Sequence, residues 1–459
     1  MKKNIIIIPA VIGLLLTQGA CTKELFQEPT TEKNAGSFPR NETEAEEYIN
    51  AAYGNLQDPG LYGLYMPAIT EIPSDNTYDE VPANDDGIYG QLDQFTVVPS
   101  NKIIMSTWQQ SYYAIQKANL VLNRIDKITY AADATKEARK GEMKFIRALL
   151  YFNLVRLYGD VPLVTQETGD PNVYFGQGRN AAADVYTQIK KDLTEAIAQL
   201  PATATQKGRV VKTAAQTLLA KVYLTLLDYS SAKTLLNAVV SSGQHQLLGN
   251  PADIFSISNE NNAEIIFAVQ FASGVNGNTE GSAMFQIFSP SGTQTGAKGH
   301  NLPTKELYSL YTSADRRKGV YVDVTAAGVP FCKKLTKPTT VITDGGSDVV
   351  VLRYADVILM LAEVENELGN TAMAINYLNT IRARAGLAGT TAITQDDLRI
   401  AIATERRLEL IGEGHRWFDL LRTGKALSVI SNIDTHNLLM PVPQGQIDTD
   451  PSIKQNPGY

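Results

Sequence analysis

Apolar residues recur at helical spacing through much of the chain. Between Thr107 and Asp126, Trp108, Tyr112, Ile115, Asn119 and Leu122 fall at steps of three and four, and from Asp133 to Tyr158 the stripe is Met143, Ile146, Leu150, Leu154 and Leu157. Such spacing places one apolar face along each helix, and the short polar link between the two predicts an antiparallel pair. Ala181 to Leu200 with Lys212 to Leu227 forms a second pair, followed closely by Tyr229 to Ser242. Ahead of them, Asn41 or Thr43 supplies an N-cap, Glu42, Glu44, Glu46 and Glu47 an acidic first turn, and Tyr48, Ala52 and Leu56 an apolar face. Helical period vanishes in two long stretches. Residues 58 to 106 hold five prolines with Tyr62, Tyr65, Tyr78, Tyr89 and Phe95, and residues 243 to 348 are rich in Gly, Ser, Thr and Asn. Within the second, Ile265 to Phe271 and Val320 to Val324 suit short strands. Both stretches are too long for connectors, and loops held on a rigid frame are where binding concentrates.

Ala215, Ala220, Tyr223, Tyr229 and Ala232 resemble the spacing of a tetratricopeptide repeat, in which small side chains let helices approach and aromatics fill the gaps. A related pattern recurs from Tyr354 to Ala385 at Ala362, Leu368, Ala374 and Leu378. The expected fold is therefore mainly α, a helical-hairpin scaffold carrying long irregular insertions and a few short strands.

The N-terminus reads differently. Lys2 and Lys3 precede an apolar run from Ile5 to Leu16 and a small-residue tail before Cys21. The run falls short of the ~20 residues of a spanning helix and has the order of an export signal. Cleavage before Cys21 and acylation of that cysteine would anchor the body to a membrane, since two or more acyl chains suffice where one is marginal. Gln18 stands where such lipidation sites usually carry Leu, and the alternative is an ordinary secretory signal with Cys21 a bystander. Residues 1–20 are thus expected to be signal, 21–40 a tether, and 41–459 one domain with excursions at 58–106 and 243–348. Only Cys332 remains besides Cys21, so no intramolecular disulfide is expected if Cys21 is acylated. A net charge of −7, with both signs dispersed, gives no basic stripe for nucleic acid.

Several segments read together as a signature. They are Arg147 to Leu163 (RALLYFNLVRLYGDVPL), Leu352 to Glu363, Asn379 to Gly386 (NTIRARAG), Glu405 to Leu420 (ERRLELIGEGHRWFDL), Leu439 to Pro443, and Gln455 to Tyr459. In this order the chain closely resembles the SusD/RagB lipoproteins of the Bacteroidetes outer membrane. The resemblance implies a tetratricopeptide-based fold that binds glycans, or in some members peptides, at the cell surface. It also implies a partner, a SusC-type TonB-dependent transporter that the lipoprotein covers as a lid, and no cofactor or catalysis.

The charged signature reads as structure. Glu405, Glu409 and Glu413 lie one helical turn apart, and Arg406, Arg407 and Arg416 can pair with them or with neighbouring helices. Arg147, Arg353, Asp356 and Glu363 read likewise, and Trp108, Trp417 and Phe418 as packing. Sugar binding needs aromatic faces beside amides and carboxylates. Asp75-Asn76-Thr77-Tyr78 resembles the family's Ser-Asp-Asn loop, with Asp75 and Asn76 for hydroxyls and Tyr78 to stack; an Asx-turn is the alternative for Asp75. Tyr89, between Gly87 and Gly90, is expected to be an exposed-loop aromatic. Phe285 and Phe288 are either platforms or plugs beneath a loop. Asn84-Asp85-Asp86-Gly87 offers oxygens in a turn for Ca²⁺ without EF-hand spacing, so a solvated turn is the alternative. A peptide receptor of the same fold, a glycoside hydrolase and a docking scaffold stand as rival readings, and no His-Glu-x-x-His segment supports zinc hydrolysis.

Overall fold

The computed structural model describes residues 38–170 and 173–459. Cys21, the signal and most of the tether lie outside the described residues. Helix α1 (Glu42–Leu56) starts at Asn41, whose side chain accepts the Glu44 amide at 3.0 Å. Helices α3 (Lys102–Arg124) and α4 (Asp133–Tyr158) pack together, with α1 against α3. Next come α5 (Ala182–Gln199), α6 (Lys212–Thr225) and α7 (Tyr229–Ser241), each packed on the one before. Later in the chain α8 (Tyr354–Glu367), α9 (Thr371–Arg384) and α10 (Gln395–Glu409) form a second group, joined to the first where α7 meets α8. The expected small residues are the contacts: Ala215, Ala220, Ala232, Ala362 and Ala374 are all fully buried. The fold is mainly α, as the spacing predicts, and among the described residues no helix is long and apolar enough to cross a membrane.

Neither excursion lacks structure. The first holds α2 (Tyr65–Glu71) and strand β1 (Thr77–Tyr78), and its end at Lys102 already belongs to α3. The second holds β2 (Ile265–Val269), β3 (Leu302–Pro303), β4 (Val322–Val324) and β5 (Pro330–Cys332). These strands form three antiparallel two-stranded ladders: β1 with β3, β2 with β6 (Val349–Arg353), and β4 with β5. The first of them joins the two excursions.

The signature residues form the buried ionic centre. Glu409 meets Arg317 at 3.1 Å, Arg353 at 2.8 Å and also Arg384, while Glu413 meets Arg353 at 2.7 Å and Lys334 at 2.6 Å. Arg406 joins α10 to Asp356 of α8 at 2.8 Å and to Asp419 of α11 (Arg416–Arg422) at 2.9 Å. Arg147 holds Asp192 of α5 at 2.7 Å. Each charge here is taken out of water only because others answer it. Trp108 and Trp417 are buried with Phe418, and Cys332 is buried, its thiol pushed up by burial.

Candidate functional site

The first excursion encloses a groove of about 450 Å³ lined by Leu64, Tyr65, Asp85, Asp86, Ile88, Tyr89, Gln91, Val98, Ser100, Asn101 and Lys102, with Ile287 from the second excursion. Its wall is fixed from several directions. Asn101 caps α3 by accepting the Ile103 amide at 2.8 Å, and its side-chain amide donates to the Ile88 carbonyl at 3.0 Å and to Gln91 Oε1 at 2.8 Å. Gly90 permits the close turn, since a Cβ there would sit 2.2 Å from the Pro82 carbonyl oxygen. Asp85, Asp86 and Gly87 follow one another in the left-handed region, with φ of 50°, 58° and 71°. That turn aims Asp85 at the second excursion and leaves Asp86 exposed at the rim.

Asp85 meets His300 Nε2 at 2.9 Å and Lys298 Nζ at 2.9 Å, and the other nitrogen of His300 meets Asp79 at 2.8 Å. Burial would raise the Asp85 carboxyl, but hydrogen bonds and charge from His300 and Lys298 outweigh it and hold the group below the usual carboxylate range. The turn considered for Ca²⁺ thus has its Asp85 carboxylate taken by Lys298 and His300, and among the described residues no three acidic, His or Cys groups converge on a metal position.

Tyr89 is not the exposed aromatic that its flanking glycines predict. It is 2% exposed, stacks on His300 with ring centres 4.1 Å apart, and meets the edge of Tyr65 at 6.4 Å, forming the groove floor. Its hydroxyl pKa is raised by that burial and by nearby Tyr65, Asp85 and Asp79. Asp75 is taken by Arg416, Nε to Oδ1 at 2.6 Å and Nη2 to Oδ2 at 2.9 Å, with Arg407 also beside it. Burial favours its neutral form, yet these arginines keep its carboxyl below the usual range. Asn76 is buried, accepting from Arg407 Nε at 2.6 Å through its side chain and from the Thr304 amide at 2.9 Å through its carbonyl. Both residues are spent on the scaffold because the half-buried arginines of the C-terminal signature need oxygen partners. Tyr78 is half-buried on β1 opposite Leu302. Phe288 is fully buried and packs in the core, while Phe285 is half-buried beside a separate 30 Å³ pocket with Phe255, Lys334 and Asp348. Of the residues expected to contact ligand only Tyr89 lines the groove, joined by Asp85 and Asp86 of the turn considered for Ca²⁺. Gln91, Ser100, Lys102 and Ile287 carried no signal in the sequence, because a single residue in an aperiodic stretch is not marked until the chain closes around it.

A chain with this helical scaffold and these motifs belongs to the SusD/RagB family of proteins. The model of the SusD family matches residues 324–437, and one described as starch-binding associating with outer membrane matches residues 31–224. The chain is 26% identical over its whole length to SusD-like protein P25 of Formosa agariphila, covering 99% of that protein. It is 25% identical over 276 residues to the starch-binding protein SusD of Bacteroides thetaiotaomicron, covering 55% of this chain and 48% of that one. Among solved structures, a laminarin-binding SusD-like protein superposes with a TM-score of 0.81 at 29% identity, over 91% of this chain and 100% of the other.

Proposed function

We propose that this chain is a non-catalytic surface lipoprotein that captures oligosaccharide in the groove and hands it to a SusC-type TonB-dependent transporter in the outer membrane. The observation that carries the reading is the lining of the groove. Ile88, Val98 and Ile287 give apolar surface for the C–H faces of sugar rings above a floor of buried Tyr65 and Tyr89, and Asp86, Gln91, Ser100 and Lys102 stand beside it for hydroxyls. The similarity to a laminarin-binding protein makes β-glucan the first ligand to test. Asp75 and Asn76 serve the site from behind by fixing the loop, half-buried Tyr78 on β1 is proposed as a stacking ring outside the groove lining, and Phe285 and Phe288 support the second excursion.

A glycosidase acid needs a carboxyl raised toward neutrality. Asp85, the groove carboxylate with a resolved shift, is lowered instead, which favours binding over hydrolysis. Calorimetric titration of the soluble chain with laminarihexaose tests the reading. Binding is expected without release of reducing ends, and Gln91→Ala and Tyr78→Ala are each expected to weaken it about tenfold, a loss of ~1.4 kcal/mol, with the melting temperature nearly unchanged. Hydrolysis of the oligosaccharide, or affinity untouched by both substitutions, would sink it; retention of oligopeptides in place of glycans would favour the peptide-receptor alternative.

A further inference from the structure

Six arginines in the scaffold's interior, Arg147, Arg317, Arg353, Arg384, Arg406 and Arg422, each meet at least one carboxylate. Arg156 of α4 is different. Its Nε donates to the Phe152 carbonyl at 2.9 Å and Nη2 to Asn153 Oδ1 at 2.8 Å, and its guanidinium lies 3.7 Å from the ring centre of Phe152 and 3.6 Å from that of Phe418. Among the described residues Nη1 has no acceptor and no carboxylate pairs with the group. Burial pushes its pKa down to about 10, which still leaves it charged at neutral pH.

Arg156 lines a cavity of about 50 Å³ with Tyr62, Asn153, Lys221, His415 and Glu413, the last already paired with Arg353 and Lys334. Lys221 Nζ lies 3.0 Å from His415 Nδ1. An ammonium only donates, so Nδ1 accepts and the ring proton sits on Nε2, which has no acceptor among the described residues. Burial and the Lys221 charge push His415 down to about 3, so the ring is neutral. Around the cavity, Lys221, Arg406 and Arg422 are answered by Asp356, Asp419 and Glu363. The charge of Asp419 reaches Arg156, but no carboxylate among the described residues pairs with it.

We infer that this cavity is an oxyanion site that takes one carboxylate, sulfate or phosphate group against Arg156 Nη1, His415 Nε2 and the Lys221 ammonium. Two nitrogens with no protein acceptor, on a half-buried cation without a paired carboxylate and on a neutral ring, are what such a group would satisfy. Its size sets the class. A cavity needs roughly 10–15 Å³ to hold one water, whereas ligand pockets run from about 300 Å³ upward, so this one holds a small oxyanion and not a sugar ring. It shares no lining residue with the groove: α2 turns Tyr65 to the groove and Met66, Pro67 and Thr70 to the cavity. The anion is either free in solution or a charged substituent carried on a sugar.

Thermal shift and calorimetry on the wild-type chain and on Arg156→Met, with sodium sulfate, phosphate, glucuronate and glucose 6-sulfate against sodium chloride at matched ionic strength, test the site. A saturable rise in Tm is expected for the wild type, with affinity at least tenfold weaker in Arg156→Met, the loss of one charge-assisted contact. Response to the inorganic ions alone assigns the site to a free oxyanion, and response to the sugar-borne groups assigns it to a glycan substituent. A crystal soaked in selenate is expected to show anomalous density within hydrogen-bond distance of Arg156, and this reads the site even if Arg156→Met does not fold. No oxyanion-specific response in the wild type, an equal response in both proteins, or no selenate density at Arg156 overturns the inference. Laminarihexaose, which is neutral, is expected to bind both proteins alike, so the glycan reading stands or falls separately.

Discussion

Glu71 is fully buried at the end of α2, and this single carboxyl makes stability depend on pH. Its Oε1 accepts the Gly414 amide at 2.8 Å, while Oε2 has no partner. Burial raises its pKa to about 8, and the amides of Gly414 and His415 with the charge of Lys334 offset only part of that. In the unfolded chain the group titrates near ~4.3, so between the two values the folded state holds a proton that the unfolded state has released. The stabilisation is fully present below the unfolded pKa and is lost as the pH climbs through about 8. While the group titrates, the loss is about 1.4 kcal/mol per pH unit. Asp93, Asp348 and Glu260, raised to about 6, 6 and 7 by burial, act with the same sign. Urea unfolding at a series of pH values from 5 to 8 is expected to show a shallower decline for Glu71→Gln than for the wild type. Parallel declines would mean that Glu71 is not the group responsible. The depressed carboxyls behave oppositely: Asp356 and Glu409, desolvated but surrounded by cations, lose their contribution only in strong acid.

Between elements, the groove depends on a tie that joins the two excursions. Glu80 accepts the Ser291 amide at 2.8 Å, its own amide donates to the Gly299 carbonyl at 3.0 Å, and His300 sits between Asp79 and Asp85. His300→Ala leaves buried Asp79 unpaired and removes the surface on which Tyr89 stacks. The expected cost is about 2–4 kcal/mol, with faster proteolysis within residues 80–90 and weaker glycan binding. Lys298→Ala, a partner of Asp85 at the half-exposed rim, is expected to cost ~1 kcal/mol or less and to leave the cleavage rate unchanged. Equal cleavage rates in wild type and His300→Ala would rule out the tie as the clamp. The same tie explains what could be read from the chain and what could not. Helices such as Asp133–Tyr158 declare themselves through neighbours three and four residues away, and local residues cap them. Tyr89 could not be placed, because the ring that buries it belongs to His300, more than two hundred residues along the chain. Asp75 had an assignable chemistry but no visible partner, since Arg407 and Arg416 approach it from the far end of the sequence. The charged signature was legible as structure because glutamates one turn apart cannot remain buried without cations.

For the whole molecule, the proposed capture and delivery is useful only if the groove stays near the transporter, and on that reading the folded body depends on acylation of Cys21. If Cys21 is acylated as proposed, the roughly 20 residues between it and the first helix can reach at most ~70 Å even fully extended, so the second encounter would become effectively intramolecular. The dispersed charge behind the net value of −7 offers no basic patch that would substitute for acyl chains at an anionic membrane surface. Cys21→Ser is therefore expected to move the protein from the membrane to the soluble fraction and to slow growth on glucan most where glucan is scarce. The purified variant is expected to bind laminarihexaose as the wild type does, because the groove lining begins more than forty residues beyond Cys21. Membrane retention of Cys21→Ser would instead place the attachment elsewhere. Normal growth of a fully released protein would show that delivery does not depend on tethering, since a soluble binder at low concentration competes with the transporter for the same sugar.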